Sequence, residues 1–405
     1  MHLLYHIFYL FQFLCINQLT SNFIIGIVQL WSYFSPLLFE RMNIMKNTEI
    51  YIKIDEILLH MPDYIKDFVQ EREDKDQSPR TTLEYLKNYK LFYNWLLGEA
   101  VVADTSIASI RQLTAYDLNL YKSHLKRRTK ENVKKESTKS QLEDNNNLGL
   151  SIPTINRNIT ALKVLFKYLS TSSNNPLGKP YLEKNPMDQV STMADKTTLA
   201  ARANAIEKKL FLEDDTQKYL DYIAVDYKNT LSKRALVYYQ RDIERDLAIN
   251  ALILGSGLRL SEVVNINLED LSLEKNNVVV TRKGNKRDAV NIAAFAMEYL
   301  ANYLAIRKER YKASDDEKAF FLTTYQGEAK RISGIAIERM VAKYSKGFRV
   351  QVSPHKLRHT LATRLYQQTN SLVLTAQQLG HSSTNTTTLY THIDNAATID
   401  ALNAL

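Results

Sequence analysis

Apolar positions recur with a helical period along most of this chain. From Ile50 onward, Ile54, Ile57 and Leu58 share one face until Pro62 interrupts the run. Ser78 as N-cap and Pro79 as the first helical residue open a second helix. Its stripe is Leu83, Leu86, Tyr93 and Leu97, and Gly98 ends it. Thr114 and Asp117 have capping-box spacing ahead of Leu118, Tyr121 and Leu125. The stretch "TINRNITALKVLFKYL" aligns Ile155, Ile159, Leu162, Leu165 and Leu169 on one side. These four patterns predict a small helical bundle over residues 50–172.

The next segment, "TSSNNPLGKPYLEKNP", has the Ser, Asn, Gly and Pro content of a loop, and residues 173–204 are expected to link the bundle to a second domain over 205–405. That domain begins with helices running up to "RDLAINALILGSGLRLSEVV", where Gly255 and Gly257 flank a helix-to-helix turn. The clear strand signal follows: "NVVVT" and "RDAVNI" are rich in β-branched residues and joined by "RKGNK", whose Gly-Asn pair suits a hairpin turn. From Ala293 on, the pattern is helical to the end. The fold class expected is therefore mainly α with a small β-sheet, in two domains. No internal repeat and no P-loop signature is present.

Composition sharpens this picture. The chain has 405 residues, 45% of them hydrophobic, enough for about two or three domains with real cores. A formal charge of +9 favours a polyanionic partner, nucleic acid or an acidic membrane surface. The single cysteine, Cys15, excludes an internal disulfide and a multi-cysteine zinc site and fits a reducing compartment, so a cytoplasmic protein is expected. The first 39 residues lack Asp, Glu, Lys and Arg entirely. They have no positive n-region of a signal peptide, and Gln12, the polar patch 17–22, Gln29 and Ser35-Pro36 shorten their apolar runs. Residues 1–44 are expected to be a dispensable or normally untranslated extension, with Met42 or Met45 as the start; the other reading is a membrane anchor. No stable membrane insertion is expected of the rest.

Candidate chemistry concentrates in the second domain. In "PHKLRHTLATRLY" a helix places His355 and Arg358 on one face, aimed at a common anion, while Leu357, Leu361 and Leu365 face a core. Taken alone, a solvated Arg358 and a His355 that caps the helix explain the same residues. Three more pieces stand in line with it: "GSGLRLSE", "TRKGNKRD" and "LGHSSTNTTTLYTH".

Together these four motifs resemble the catalytic domain of the tyrosine site-specific recombinases, the phage integrase and Xer family, and they look closest to its single-protein Xer branch. The resemblance runs from about Ile50 to the C-terminus and leaves out the first 44 residues. It implies a helical, SAM-like core-binding domain and a mixed, mostly α catalytic domain closing as a C-shaped clamp on double-stranded DNA. It also implies a catalytic set of Arg259, Lys283, His355, Arg358, His381 and the nucleophile Tyr390. A homotetramer would act on two recombination sites through a Holliday junction. The task implied is resolving chromosome dimers during cell division, with an FtsK-type DNA translocase as activator.

The residue types suit that chemistry. A phosphodiester under attack gains negative charge on its non-bridging oxygens, and Arg259 and Arg358 are fit to clamp them with forked, permanently charged donors. Tyr390 would give a 3′-phosphotyrosyl enzyme and a free 5′-hydroxyl. An unperturbed phenol, with pKa about 10, needs help to ionise. His355 is expected to act as acid/base partner, and His381 to donate to the phosphate or position the tyrosine. The leaving 5′-oxygen needs a proton, which Lys283 rather than Lys286 is expected to supply. No metal and no other cofactor is expected, because the cations supply the charge compensation of a Mg²⁺ ion. Candidate DNA contacts are Lys126, Arg127, Arg128 and Arg157 in the first domain and Lys286 and Arg287 on the hairpin. The run "KSHLKRRTKENVKKESTK", with eight Lys or Arg against two Glu, is otherwise a solvated face. The tail "NAATIDALNAL" is expected to be a short helix docking either in its own chain or on a neighbouring subunit.

Rival readings exist. His355 and His359 are four apart, as in H-E-x-x-H zinc enzymes, but Lys356 stands where the Glu should be, so His359 is expected to be structural or supporting. A recombinase-fold DNA-binding protein without catalysis, an integrase of a mobile element and a type IB topoisomerase are the others.

Overall fold

A computed structural model describes residues 48–128, 150–194, 197–282, 286–381 and 387–392. The chain divides into two units, one ending at Asp195 and the other beginning at Lys196. Residues 1–44, most of the basic run after Arg128, Lys283 and the tail from 395 lie outside the described residues. Among the described residues, no helix is long and apolar enough to cross a membrane.

The first unit is helical: α1 spans 48–58, α2 Asp63–Asp74, α3 Pro79–Gly98, α4 Ala115–Arg127 and α5 Ile152–Thr171. The capping box opening α4 is made: the Thr114 amide donates to Asp117 at 2.9 Å and the Asp117 amide donates to Thr114 Oγ1 at 3.4 Å. Ser78 does precede α3, but its side chain makes no capping bond. The core is aromatic, with Phe92 against Tyr121 and Phe166, and the Tyr89 hydroxyl donates to the Ala161 carbonyl at 3.1 Å. Leu97, expected on the α3 stripe, is exposed, because the last turn presents Trp95 and Leu96 to the core instead.

Part of the expected linker belongs to this core. Leu182, Met187 and Val190 are buried, the Leu182 amide donates to the Leu169 carbonyl at 2.8 Å, and the Tyr181 hydroxyl donates to Asp67 at 2.5 Å. Turn-forming residues still fold back when apolar residues among them find a surface to cover. At the far end of the same stretch, α6 (Leu199–Glu207) is already part of the second unit.

The second unit is built on α7 (Lys233–Ser256), whose C-terminal half is buried and packs against α9 (Ala294–Tyr311) and α11 (Pro354–Thr369). Gly255 allows the α9 contact, since a Cβ there would come within 2.9 Å of the Ala296 Cβ. The turn into α8 (Leu260–Asn265) uses Gly257 in the left-handed region at φ 68°. The strands β1 (Leu271–Ser272), β2 (Asn277–Arg282) and β3 (Lys286–Asn291) form an antiparallel sheet in that order, with Val278 opposite Val290 and Arg282 opposite Lys286. Val278, Val280 and Val290 turn into the core.

The helical expectation after Ala293 needs one correction. A hairpin of β4 (Leu322–Tyr325) and β5 (Glu328–Arg331) interrupts the helices before α10 (Gly334–Phe348). Its strands are four residues long, too short for an alternation to declare itself, and its turn rests on Gln326 and Gly327 at positive φ. The last regular helix described is α12 (Leu372–Leu379), closed by Gly380 at φ 60°.

A buried ion pair ties these elements together. Asp246 on α7 accepts from Arg245 at 2.6 Å and from the Tyr344 hydroxyl of α10 at 2.8 Å, while Arg245 reaches the Leu322 carbonyl of β4 at 3.0 Å. Replacing Asp246 by Ala removes the nearer of two carboxylates from the buried Arg245, leaving Asp242 at 3.3 Å, and takes the acceptor from the Tyr344 hydroxyl. The loss expected is about 3–5 kcal/mol, read as a lower urea midpoint for the second unit with the first unit's transition unchanged.

Candidate active site

Two helix ends frame the site. At the start of α8, Glu262 takes the capping position three residues into the helix and accepts from the Arg259 amide at 2.7 Å. The same carboxylate accepts from Arg259 Nη1 at 2.9 Å, and it is itself buried. Arg259 Nη2 then reaches across to the Gly380 carbonyl at 3.1 Å. At the other end, α12 finishes with carbonyls that have no partner inside the helix.

Three arginines meet on that α12 terminus. Arg358, almost fully buried on α11, donates from Nη2 to the Leu379 carbonyl at 2.6 Å and from Nη1 to the Gly257 carbonyl. Arg282, at the end of β2, donates to the Leu379 carbonyl at 2.9 Å and the Gln378 carbonyl at 3.2 Å. Arg282 also pairs with Asp288 at 2.8 Å and lies 3.6 Å from Glu262. Arg259 completes the group on Gly380. The negative end of the helix dipole and two carboxylates thus compensate three adjacent guanidiniums. Gly380 has no alternative here, since a side chain at this left-handed position would run into the Arg282 guanidinium.

The histidines extend the cluster. His381 Nε2 lies 3.1 Å from Arg358 Nη2, and its Nδ1 lies 3.0 Å from Thr387 Oγ1. Arginine has no acceptor, so His381 accepts at Nε2 and carries its proton at Nδ1, facing Thr387. Burial first, then Arg358 and Arg259, lower its pKa to about 4. His355 is also lowered, by crowding from neighbouring protein atoms, then by Arg358, Lys356 and Arg259. Burial and Arg259 bring Arg358 itself down to about 10.

Tyr390 lies on a short 3-10 turn over Thr388–His392 and is 1% exposed, packed with Ala203 of α6, Leu210, Ala362 and Leu379. Its hydroxyl lies 2.8 Å from His359 Nδ1. The His359 ring in turn meets His355 edge-on, 4.5 Å between centroids. Burial raises Tyr390 to about 12, an effect Arg358 partly opposes. Burial, followed by His355, Lys356, Arg358 and His381, lowers His359 to about 3. His359 is therefore neutral, and in the tautomer that carries its proton on Nε2 its Nδ1 accepts the phenolic hydrogen bond.

Arg259, Arg358 and His381 thus gather on one turn, and His355 joins Tyr390 through His359. Lys283 lies outside the described residues, in the sequence between Arg282 and Lys286. Of the candidate DNA contacts, Lys126, Arg127, Arg157, Lys286 and Arg287 are exposed and Arg128 is half-buried; Arg287 pairs with Asp270 at 3.2 Å. Arg282, Glu262 and Gly380 were not singled out by sequence, although Glu262 stands at capping distance from Arg259. His359 was expected to be only structural or supporting. For the zinc reading, no group of three or more His, Cys, Asp or Glu is placed to hold a metal among the described residues.

The phage integrase family profile matches residues 229–397. Among solved structures, XerH site-specific recombinase bound to a palindromic difH substrate, a post-cleavage complex, aligns with a TM-score of 0.56 at 21% identity, covering 80% of this chain and 78% of that one. The Tn1549 transposon integrase in complex with circular intermediate DNA aligns at 0.51 and 18% identity, covering 81% of this chain and 94% of that one. These two likenesses establish the two-domain fold. The chain belongs to the tyrosine recombinases of the phage integrase family, enzymes that break and rejoin DNA. Its likeness within that family is to XerS: the tyrosine recombinase XerS of Streptococcus agalactiae is 46% identical over 366 residues, which is 89% of this chain and 100% of the relative. XerS of Streptococcus mutans is 45% identical over the same span.

Gly380→Ala tests the frame around the α12 terminus. A non-Gly residue held at this φ costs on the order of 1–3 kcal/mol, and the displaced Arg282 loosens the carbonyls on which Arg259 and Arg358 rest. Single-turnover DNA cleavage is expected to fall about ten- to a hundredfold, with DNA affinity in a gel-shift assay retained.

Proposed function

We propose that this recombinase cuts DNA by attack of Tyr390 on a scissile phosphate held by Arg259, Arg358 and His381. The reading is carried by one observation: the Arg358 guanidinium and the His359 partner of Tyr390 are consecutive residues on α11. Anion clamp and nucleophile are therefore positioned by the same helical turn. The Oη–P bond forms as the P–O5′ bond breaks, leaving a 3′-phosphotyrosyl ester and a 5′-hydroxyl. Lys283 gives the departing O5′ its proton, and His355 serves the phosphate and its proton traffic. Forked guanidinium donors on the non-bridging oxygens stabilise charge that appears only in the transition state. The ester retains the energy of the phosphodiester, so religation needs no ATP.

His381 has to change partner for this to happen. Its Nε2 accepts from Arg358 without DNA, and a phosphate entering between them takes over the Arg358 donor and leaves His381 free to protonate and donate. The depressed pKa of His381 comes from burial and from cations that a bound phosphate offsets.

The task is recombination at a specific double-stranded site, carried out by a homotetramer on two sites through a Holliday junction. The XerS likeness supports resolution of chromosome dimers in the cytoplasm, with an FtsK-type translocase as activator. Lys126, Arg127, Arg128, Arg157, Lys286 and Arg287 would contact the DNA backbone, so affinity should fall steeply with salt.

The test incubates parent and Tyr390→Phe proteins with labelled suicide DNA in EDTA. A denaturant-resistant adduct is expected from the parent alone, and loss of Arg358 to Ala should slow it about a hundredfold or more. An adduct from Tyr390→Phe, or cleavage abolished by EDTA, overturns the reading.

A further inference from the structure

We propose that His359 takes the phenolic proton from Tyr390 during cleavage and returns it during religation. This rests on the reading of Tyr390 as nucleophile and extends it to a residue that reading leaves unused.

The geometry singles out His359. Its Nδ1 is 2.8 Å from the hydroxyl of Tyr390, a residue buried in a cluster with Ala203, Leu210, Ala362 and Leu379. Among the described residues, no other side chain hydrogen-bonds that hydroxyl. His355 reaches Tyr390 only through the edge of the His359 ring, so it is left to serve the phosphate. Successive residues of a helix point about 100° apart. Arg358 and His359 can therefore aim from one turn of α11 at two neighbouring targets, the carbonyls of Gly257 and Leu379 and the phenol.

The proton balance closes. As Oη bonds to phosphorus and O5′ leaves, the proton on Oη passes to His359 Nδ1, and O5′ takes its proton from the acid assigned to Lys283. Religation reverses both transfers, so the enzyme ends with the protons it began with.

The same surroundings tie this transfer to the presence of DNA. Burial first, and then His355, Lys356, Arg358 and His381, oppose a positive charge on His359. On the proposed reading Arg358 and His381 are among the groups that hold the scissile phosphate. A bound phosphate anion offsets that field and makes His359 a stronger base. In the empty pocket the phenol keeps its proton, and no nucleophile is generated before substrate arrives.

The experiment compares full-length parent, His359→Ala, His359→Asn and Tyr390→Phe on suicide DNA under single turnover, with gel shifts as the control for folding and binding. Both His359 variants are expected to bind DNA as the parent does and to form adduct about a hundredfold or more slowly. Asn keeps an acceptor near the Nδ1 position but cannot take the proton, so it should not recover the rate. Imidazole added to His359→Ala should restore adduct formation, and more basic substituted imidazoles should restore it further. A parent-like rate for His359→Asn, or a His359→Ala rate indifferent to the basicity of the added imidazole, overturns the inference. If Tyr390→Phe still forms an adduct, the nucleophile assignment fails instead, and this inference with it.

Discussion

The second unit solves one electrostatic problem on which the rest depends: how to hold Arg259, Arg282 and Arg358 side by side in a partly buried pocket before any anion arrives. The C-terminus of α12 is the answer. Its last carbonyls, on Gln378, Leu379 and Gly380, have no partners within the helix and each accepts from at least one of the three guanidiniums. Glu262 and Asp288 add formal negative charge where the helix dipole cannot reach. The site is thus pre-organised at a cost already met in folding, which is the condition for donors to act on a transition state rather than to rearrange for it.

That arrangement has consequences for every titrating group nearby. Burial first and concentrated positive charge second keep His359 and His381 neutral, while burial alone, partly opposed by Arg358, leaves the phenol of Tyr390 protonated. Such a pocket is inert when empty. A phosphodiester changes the balance because it brings the missing negative charge to the place where the cations converge. On the proposed mechanism, substrate recognition and activation of the nucleophile are the same electrostatic event.

Much of this was legible in the sequence, for identifiable reasons. The apolar stripes of α3, α4 and α5 are long enough for the helical period to be unmistakable, and the Thr114–Asp117 box is a purely local signal. The β2–β3 hairpin announces itself through three consecutive valines and a Gly-Asn turn. The four motifs were recognised by their resemblance to the tyrosine recombinases, which needs no knowledge of the fold, and three of the residues they single out, Arg259, Arg358 and His381, meet at the α12 terminus. What escaped was tertiary. The roles of Arg282 and Gly380 exist only because β2 and the α12 terminus meet, 97 residues apart in the Arg282–Leu379 bond. The partner of Tyr390 could not be chosen from "PHKLRH" because His355 and His359 share a helix face, and only the path of the later turn selects between them. The hairpin at 322–331 and the packing of residues 181–190 were missed because short strands and turn-rich segments carry little periodicity of their own.

The central claim is that a phosphate belongs at the convergence of these guanidiniums, within bonding reach of Tyr390. The most direct measurement is a crystal structure of the full chain with vanadate and nicked site DNA, in which vanadium can take the place of phosphorus in the transition state. The account predicts vanadium bonded to Tyr390 Oη, with Arg259 and Arg358 on its non-bridging oxygens. Vanadate bound elsewhere, or coordinated at this pocket by a different nucleophile, would contradict it.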